Sequence, residues 1–396
     1  MDTKRKTFVL DTVRGCADGI LASVVNTVLL LIAIEVFELS DSWKSLIAAA
    51  PFIGCILSLV YSAAFAQSRL EKSLLASIPM ALCALFTFVL LFVTDGALFA
   101  VISTIAMAFA WMRIPFLSAI YQENYGPRER GTLYSWSVIG TISATLLCSY
   151  IFGRMLETSL QLYRLIIIIS LCASIVSAGA VSLIPSLAPD MKSGSNPLKN
   201  LSLLWKNKLF GYILLAWFIT GFANLWTRAL RIEYLAGSSR GLDLSPFTVM
   251  IIAGVIPQAA RLLFIRFWAH LFDRINFIII RIALNLFLGV GLLAYFISDN
   301  PVLIGVGSFL VGICLSGGVM AWNLWVTRCA PRGQAHVYMS VHAFLMGVRG
   351  IIGPYIGFVF VGSFSFRTIG IASCCLVLAA CVLLVPVVKM GDRLKH

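Results

Sequence analysis

YGPRERGTLYS, residues 125–135, is echoed much later in the chain by CAPRGQAHVYM, residues 329–339. In both stretches Pro-Arg is followed by a tyrosine seven residues after the proline. Pro127 and Pro331, Arg128 and Arg332, and Tyr134 and Tyr338 are each 204 residues apart. The echo extends outward. At the same offset Gly153 matches Gly357, and at an offset of 206 Gly15, Ala17 and Pro51 match Gly221, Ala223 and Pro257, with Asp18 against Asn224. A gap of two residues reconciles the offsets, and the matches keep their order along the chain.

Composition says what kind of repeat this is. The chain has 396 residues, 60% hydrophobic and 12% charged, whereas a soluble domain is about half apolar and about a quarter charged. Such a balance belongs in a bilayer. Twelve apolar runs follow one another, near 9–33, 45–66, 73–93, 97–120, 132–153, 163–184, 210–230, 247–269, 275–297, 302–326, 336–361 and 367–389. Each is about long enough to cross a hydrocarbon core of ~30 Å as a helix at 1.5 Å per residue. Backbone groups in lipid must be satisfied within the segment, and the ten-residue alternation of a barrel strand is absent, so the runs read as helices. The expected fold is all-α and integral to the membrane. It has six spans in an N-terminal bundle (1–184), a polar linker (185–209), and six in a C-terminal bundle (210–396), the halves being repeats of parallel orientation.

The net charge is +13, and its placement sets the orientation. Lys and Arg gather at both ends of the chain and in the loops that leave even-numbered spans, while the opposite loops carry Glu35, Glu38, Asp41, Asp95, Glu157, Glu233, Asp243 and Asp299. The positive-inside rule then expects both termini in the cytoplasm. Topology accounts for the basic excess. No basic run has the length or aromatic interleaving of a nucleic-acid arm, so no nucleic-acid partner is expected. The first apolar run is too long for a signal-peptide core, and no cleaved leader is expected. The ten cysteines fall mostly inside apolar runs without a C-x-x-C pair, and read as small core residues.

Six plus six spans joined by a long basic loop resembles the major facilitator superfamily. PRERG, 127–131, resembles that family's loop between helices 4 and 5, and AHLFDR, 269–274, its G-x-L-x-D-R loop after helix 8 with Ala in the Gly place. The resemblance implies alternating access between two rocking halves, with Arg128, Arg130, Asp273, Arg274 and Arg332 as conformational or gating residues. The first-half counterpart of the Asp-Arg loop reads QSRLEK, 67–72, without Asp or Gly. The Gly-Pro run expected of an antiporter in helix 5 is absent there, and GVRGIIGPYIG, 347–357, stands in helix 11 instead, where small residues four apart read as close packing.

Chemistry is sparse. No G-x-x-x-x-G-K-[ST] occurs, so ATP hydrolysis by this chain is not expected. Four histidines lack metal spacing, and His342 reads as a packing residue of span 11. No catalytic constellation, metal site or cofactor site is expected. What remains is charge inside the membrane, which is costly and faces a wet cavity or a partner. Arg14 and Asp18 in span 1 are spaced to pair as i, i+4, and Asp18 is the candidate for proton coupling with Arg14 beside it. That pairing leaves Arg113, Arg261 and Arg349 without an obvious carboxylate at similar depth. Something anionic, or water, is expected to meet them. Arg228, Arg231 and Glu233 fall at the far end of span 7 as a possible gate. In the fold that the resemblance implies, helices 1, 4, 7 and 10 line the cavity, which adds Asn224, Trp322 and Asn323. The expected substrate-binding set is therefore Arg113, Asn224, Arg261, Trp322, Asn323 and Arg349.

The reading is a secondary transporter, monomeric, in a plasma (inner) membrane, moving a small organic solute, an organic anion by preference, with protons as coupling ion. A lipophilic-drug or lipid exporter, and a membrane receptor with a transporter fold but no turnover, are the alternatives.

Overall fold

The computed structural model describes residues 3–65, 68–126, 130–188, 202–329 and 335–391. All regular structure among them is helical. The long rods are α1 (Thr3–Glu35), α2 (Asp41–Ala64), α3 (Lys72–Leu90), α4 (96–124), α5 (Arg130–Thr158), α6 (Tyr163–Ser182), α7 (Lys208–Ala236), α8 (246–274), α9 (Phe277–Phe296), α10 (Pro301–Cys329), α11 (Ala335–Ser363) and α12 (Phe366–Leu384). Ten helices among the described residues are long and apolar enough to cross a membrane.

Sequence explains the interruptions. The run expected as one helix over 97–120 breaks at Arg113 into Gly96–Met112 and Ile114–Asn124. Pro115 causes the break: it has no N–H for the preceding turn, and its ring crowds the carbonyl four residues back. In the first turn of the new helix the missing donor costs nothing. Polar caps start other rods. Asp95 accepts from the Leu98 amide at 2.8 Å, and Ser365 from the Thr368 amide at 3.2 Å. α1 and α8 each contain a π-type turn, at Val24–Val28 and Ile251–Val255.

Two compact units emerge. One is Met1–Gly194 with Ala236–Ser239 and Asp243–Val255; the other is Ser195–Leu235 with Arg240–Leu242 and Ile256–His396. In the first unit α3 packs on α4 and α6, and α2 on α4. In the second, α9 packs on α10 and α12, and α8 on α10. The same three pairings recur six places later in helix order.

Small residues set the closest approaches. A Cβ on Gly15 would lie 2.5 Å from the Ser137 carbonyl oxygen, and one on Gly19 would overlap the Thr141 carbonyl. That approach brings α5 hydroxyls onto α1 carbonyls. Ser137 donates to Asp11 O at 2.9 Å, Thr141 to Gly15 O at 2.8 Å and Thr145 to Gly19 O at 2.9 Å. The donors are four apart, so they share one face of α5. In the second unit Gly353 and Gly357 of α11 lie against the α7 backbone at Trp226, so the 347–357 run serves packing.

Candidate functional site

In the first unit Asp11, Arg14 and Asp18 of α1 and Arg113 of α4 form one network. Arg14 donates through Nε to Asp11 Oδ1 at 2.7 Å, through Nη2 to Ser137 Oγ at 2.7 Å, and through Nη1 to Asp18. Arg113 donates through Nη2 to Asp18 Oδ1 at 2.5 Å and through Nη1 to Ser177 Oγ at 2.7 Å. Ser177 in turn donates to Asp18 Oδ1 at 2.7 Å, and Tyr121 to Asp11 Oδ1 at 2.6 Å. Asp11, Arg14 and Arg113 are 1%, 7% and 5% exposed. At that depth isolated charges would be prohibitive, whereas two carboxylates against two guanidiniums close the balance.

The break at Arg113 places its side chain. The first segment of α4 ends there, the backbone keeps a helical turn (φ −74°, ψ −13°), and the guanidinium fork spans α1 and α6 by way of Asp18 and Ser177. The expectation that Arg113 lacks a carboxylate is corrected here: Asp18 serves Arg14 and Arg113 together. The sequence reading also missed Asp11, Tyr121, Ser137 and Ser177. Asp11 carried a signal, since it stands three residues before Arg14, a spacing at which helical neighbours meet.

The second unit has the opposite character. Asn224, Arg228 and Arg231 lie along one face of α7 at spacings of four and seven residues. Arg231 approaches Asn224 Oδ1 at 3.4 Å, and its carbonyl accepts from Tyr295 at 3.1 Å. On α8, Arg261 donates to Gln258 at 2.9 Å, and its carbonyl accepts from Ser316 at 2.9 Å. Arg349 of α11 turns inward. It donates to the Trp217 carbonyl at 2.7 Å, and its guanidinium occupies the place a Cβ on Gly221 would take. Arg281 of α9, absent from the sequence expectation, lies 3.8 Å from the centroid of the Trp217 ring. Arg231, Arg261, Arg281 and Arg349 pair with no carboxylate among the described residues.

Of the expected residues, the structure therefore joins Arg14, Asp18 and Arg113 directly. Asn224, Arg261 and Arg349 have separate partners within the second unit. Arg128 and Arg332 lie outside the described residues, as do the side chains of Arg130, Asp273, Arg274, Trp322 and Asn323. No three His, Cys, Asp or Glu side chains gather as a metal site among the described residues.

No curated protein matches the sequence. The solved structure of a D-xylose-proton symporter superposes with a TM-score of 0.74 at 15% identity, over 96% of this chain and 96% of that one. A peptide transporter crystallised with sulfate gives 0.71 at 13%, over 99% and 95%, and the nucleoside transporter NupG 0.67 at 14%, over 98% and 99%. At such identities the likeness concerns the fold. Family comes from sequence: the model of the Major Facilitator Superfamily matches residues 15–354, and with the helical architecture and paired charges above, the chain belongs to that superfamily of membrane transporters.

Proposed function

We propose that this protein is a proton-coupled secondary transporter of a small organic anion, working by alternating access. Its frame is twelve spans in two six-helix halves (1–184 and 210–396, linked by 185–209), with both termini in the cytoplasm, as a monomer in a plasma (inner) membrane. The observation that carries the anionic substrate is the charge of the second unit: Arg231, Arg261, Arg281 and Arg349 stand without a carboxylate among the described residues. Guanidinium groups away from bulk water call for an anion, and a planar fork suits a carboxylate or phosphate.

Asp18 is the proposed coupling group. A proton on its carboxylate competes with both of its arginines, so loading one loosens the tie between α1 and α4. Arg14 holds the second oxygen. Arg113, Asn224, Arg261, Trp322, Asn323 and Arg349 form the proposed substrate-binding set, and Arg128, Arg130, Asp273, Arg274 and Arg332 the proposed conformational set. The test is a thermal-shift screen of purified protein against organic anions and lipophilic cations, followed by uptake of any stabilising compound into proteoliposomes. Stabilisation by cations or lipids alone would replace this reading with the exporter, and binding without uptake would replace it with a receptor.

A further inference from the structure

Trp217 is the meeting point of three basic side chains inside the second unit. Arg281 lies over the face of its ring at 3.8 Å, and His342 meets the ring edge-to-face with centroids 5.2 Å apart. Arg349 donates to its carbonyl at 2.7 Å. Three helices, α7, α9 and α11, thus bring their polar groups to one point.

The cluster has donors to spare. Nε of Arg281 and Nε of Arg349 have no hydrogen-bond partner, nor has the Thr220 hydroxyl, one turn along α7 from Trp217. Asn285, one turn beyond Arg281 on α9, faces the Cys381 thiol, a weak partner, and completes no hydrogen bond of ordinary geometry. A guanidinium does not shed its proton to escape such a place. The Trp217 ring attracts Arg281 through its quadrupole but carries no formal charge.

The described acids of the second unit are far away. Glu233 stands sixteen residues beyond Trp217, about 24 Å along α7 at 1.5 Å per residue. Asp299 lies past the other end of α9 from Arg281, where it accepts from Tyr234 at 2.8 Å. The surroundings are tight: Arg281 and Arg349 are buried, and the Arg349 guanidinium lies against the Gly221 backbone, so any occupant is small.

We propose that the Trp217 cluster binds one small monovalent inorganic anion of halide size, held between the Arg281 and Arg349 guanidiniums. The ion ties α9 to α11 across α7; because Arg349 also stands in the proposed substrate-binding set, a solute anion held there would compete with it. Chloride has the charge and radius, and bromide reports on it by quenching an adjacent indole.

The test uses the purified full chain at constant ionic strength, in sodium gluconate exchanged stepwise for chloride or bromide. The expected result is a saturable rise in Tm with either halide. Bromide should also quench tryptophan fluorescence with a saturable component that disappears in Trp217→Phe and in Arg281→Gln. Equal stability in gluconate and halide, or quenching that is linear throughout, would overturn the proposal, as would stabilisation by formate or acetate alone. Should Arg281→Gln fail to fold, bromide anomalous density in wild-type crystals decides: a peak between the two guanidiniums supports the site, and its absence removes it. None of these readouts involves transport: halide binding without solute uptake leaves this site and removes the proposed function, and solute uptake without halide binding does the reverse.

Discussion

Arg113, at the break in α4, donates to Oδ1 of Asp18 on α1 at 2.5 Å, and the same carboxylate receives Arg14 from one turn earlier. A single acid thus answers two guanidiniums and joins two helices that the sequence separates by almost a hundred residues.

Removing that acid leaves Arg113 buried without a carboxylate and Arg14 with Asp11 alone. Asp18→Ala is expected to cost about 3–5 kcal/mol of stability, the usual penalty for stranding a buried partner. Asp18→Ala combined with Arg113→Met should cost less than the sum of the two single changes. Thermal unfolding of the three variants measures the coupling. Additive losses would mean that the pair contributes no coupling.

The α1–α5 seam has no room for a side chain at Gly15 or Gly19. Gly19→Val drives a branched carbon into the Thr141 carbonyl and breaks the hydroxyl ladder, so a loss of at least ~1–3 kcal/mol is expected. Gly179 of α6 has nothing within 4 Å of an added Cβ, and Gly179→Ala should instead stabilise by up to ~1 kcal/mol through helix propensity. The two Tm shifts should have opposite signs.

Trp226 donates its indole N–H to Ser373 at 2.8 Å, with Ser373 fully buried. Ser373→Ala leaves that donor without a partner and should cost about 1–3 kcal/mol. Ser373→Thr keeps the hydroxyl, and its smaller loss separates the hydrogen bond from packing. Equal losses for the two would assign the effect to packing alone.

Arg349→Lys keeps the charge but loses the fork that reaches the Trp217 carbonyl. The α7 ladder still pairs that carbonyl, so what is lost is one hydrogen bond from a charged donor, about 1.5–3 kcal/mol. If Arg349 also holds the transported anion, affinity falls with stability. Unchanged affinity with lowered stability would confine Arg349 to structure.

What the sequence disclosed and what it hid follow from range. Helix formation in lipid is local, so apolar runs such as 275–297 and 367–389 foretold α9 and α12 closely. The i, i+4 pair of Arg14 and Asp18 was legible for the same reason. Arg113 meeting Asp18 was not, because that contact depends on how α4 bends at Pro115 and on which face then turns to α1. Arg281 sits only one turn into α9, a place where a guanidinium ordinarily reaches water; Trp217, on another helix, turns it inward. Of the Pro-Arg stretches that opened the reading, residues 127–129 and 330–334 fall outside the described residues.

Coupling is the claim on which the account turns, and it is measured most directly with a pH-sensitive dye trapped inside proteoliposomes. An organic anion that stabilises the protein is added outside, with no other gradient. The account predicts that the anion drives proton movement through the wild type. In Asp18→Asn that movement should be lost, while exchange of labelled for unlabelled anion continues. Equal proton movement in Asp18→Asn and wild type, or anion transport with no proton movement in either, would contradict it.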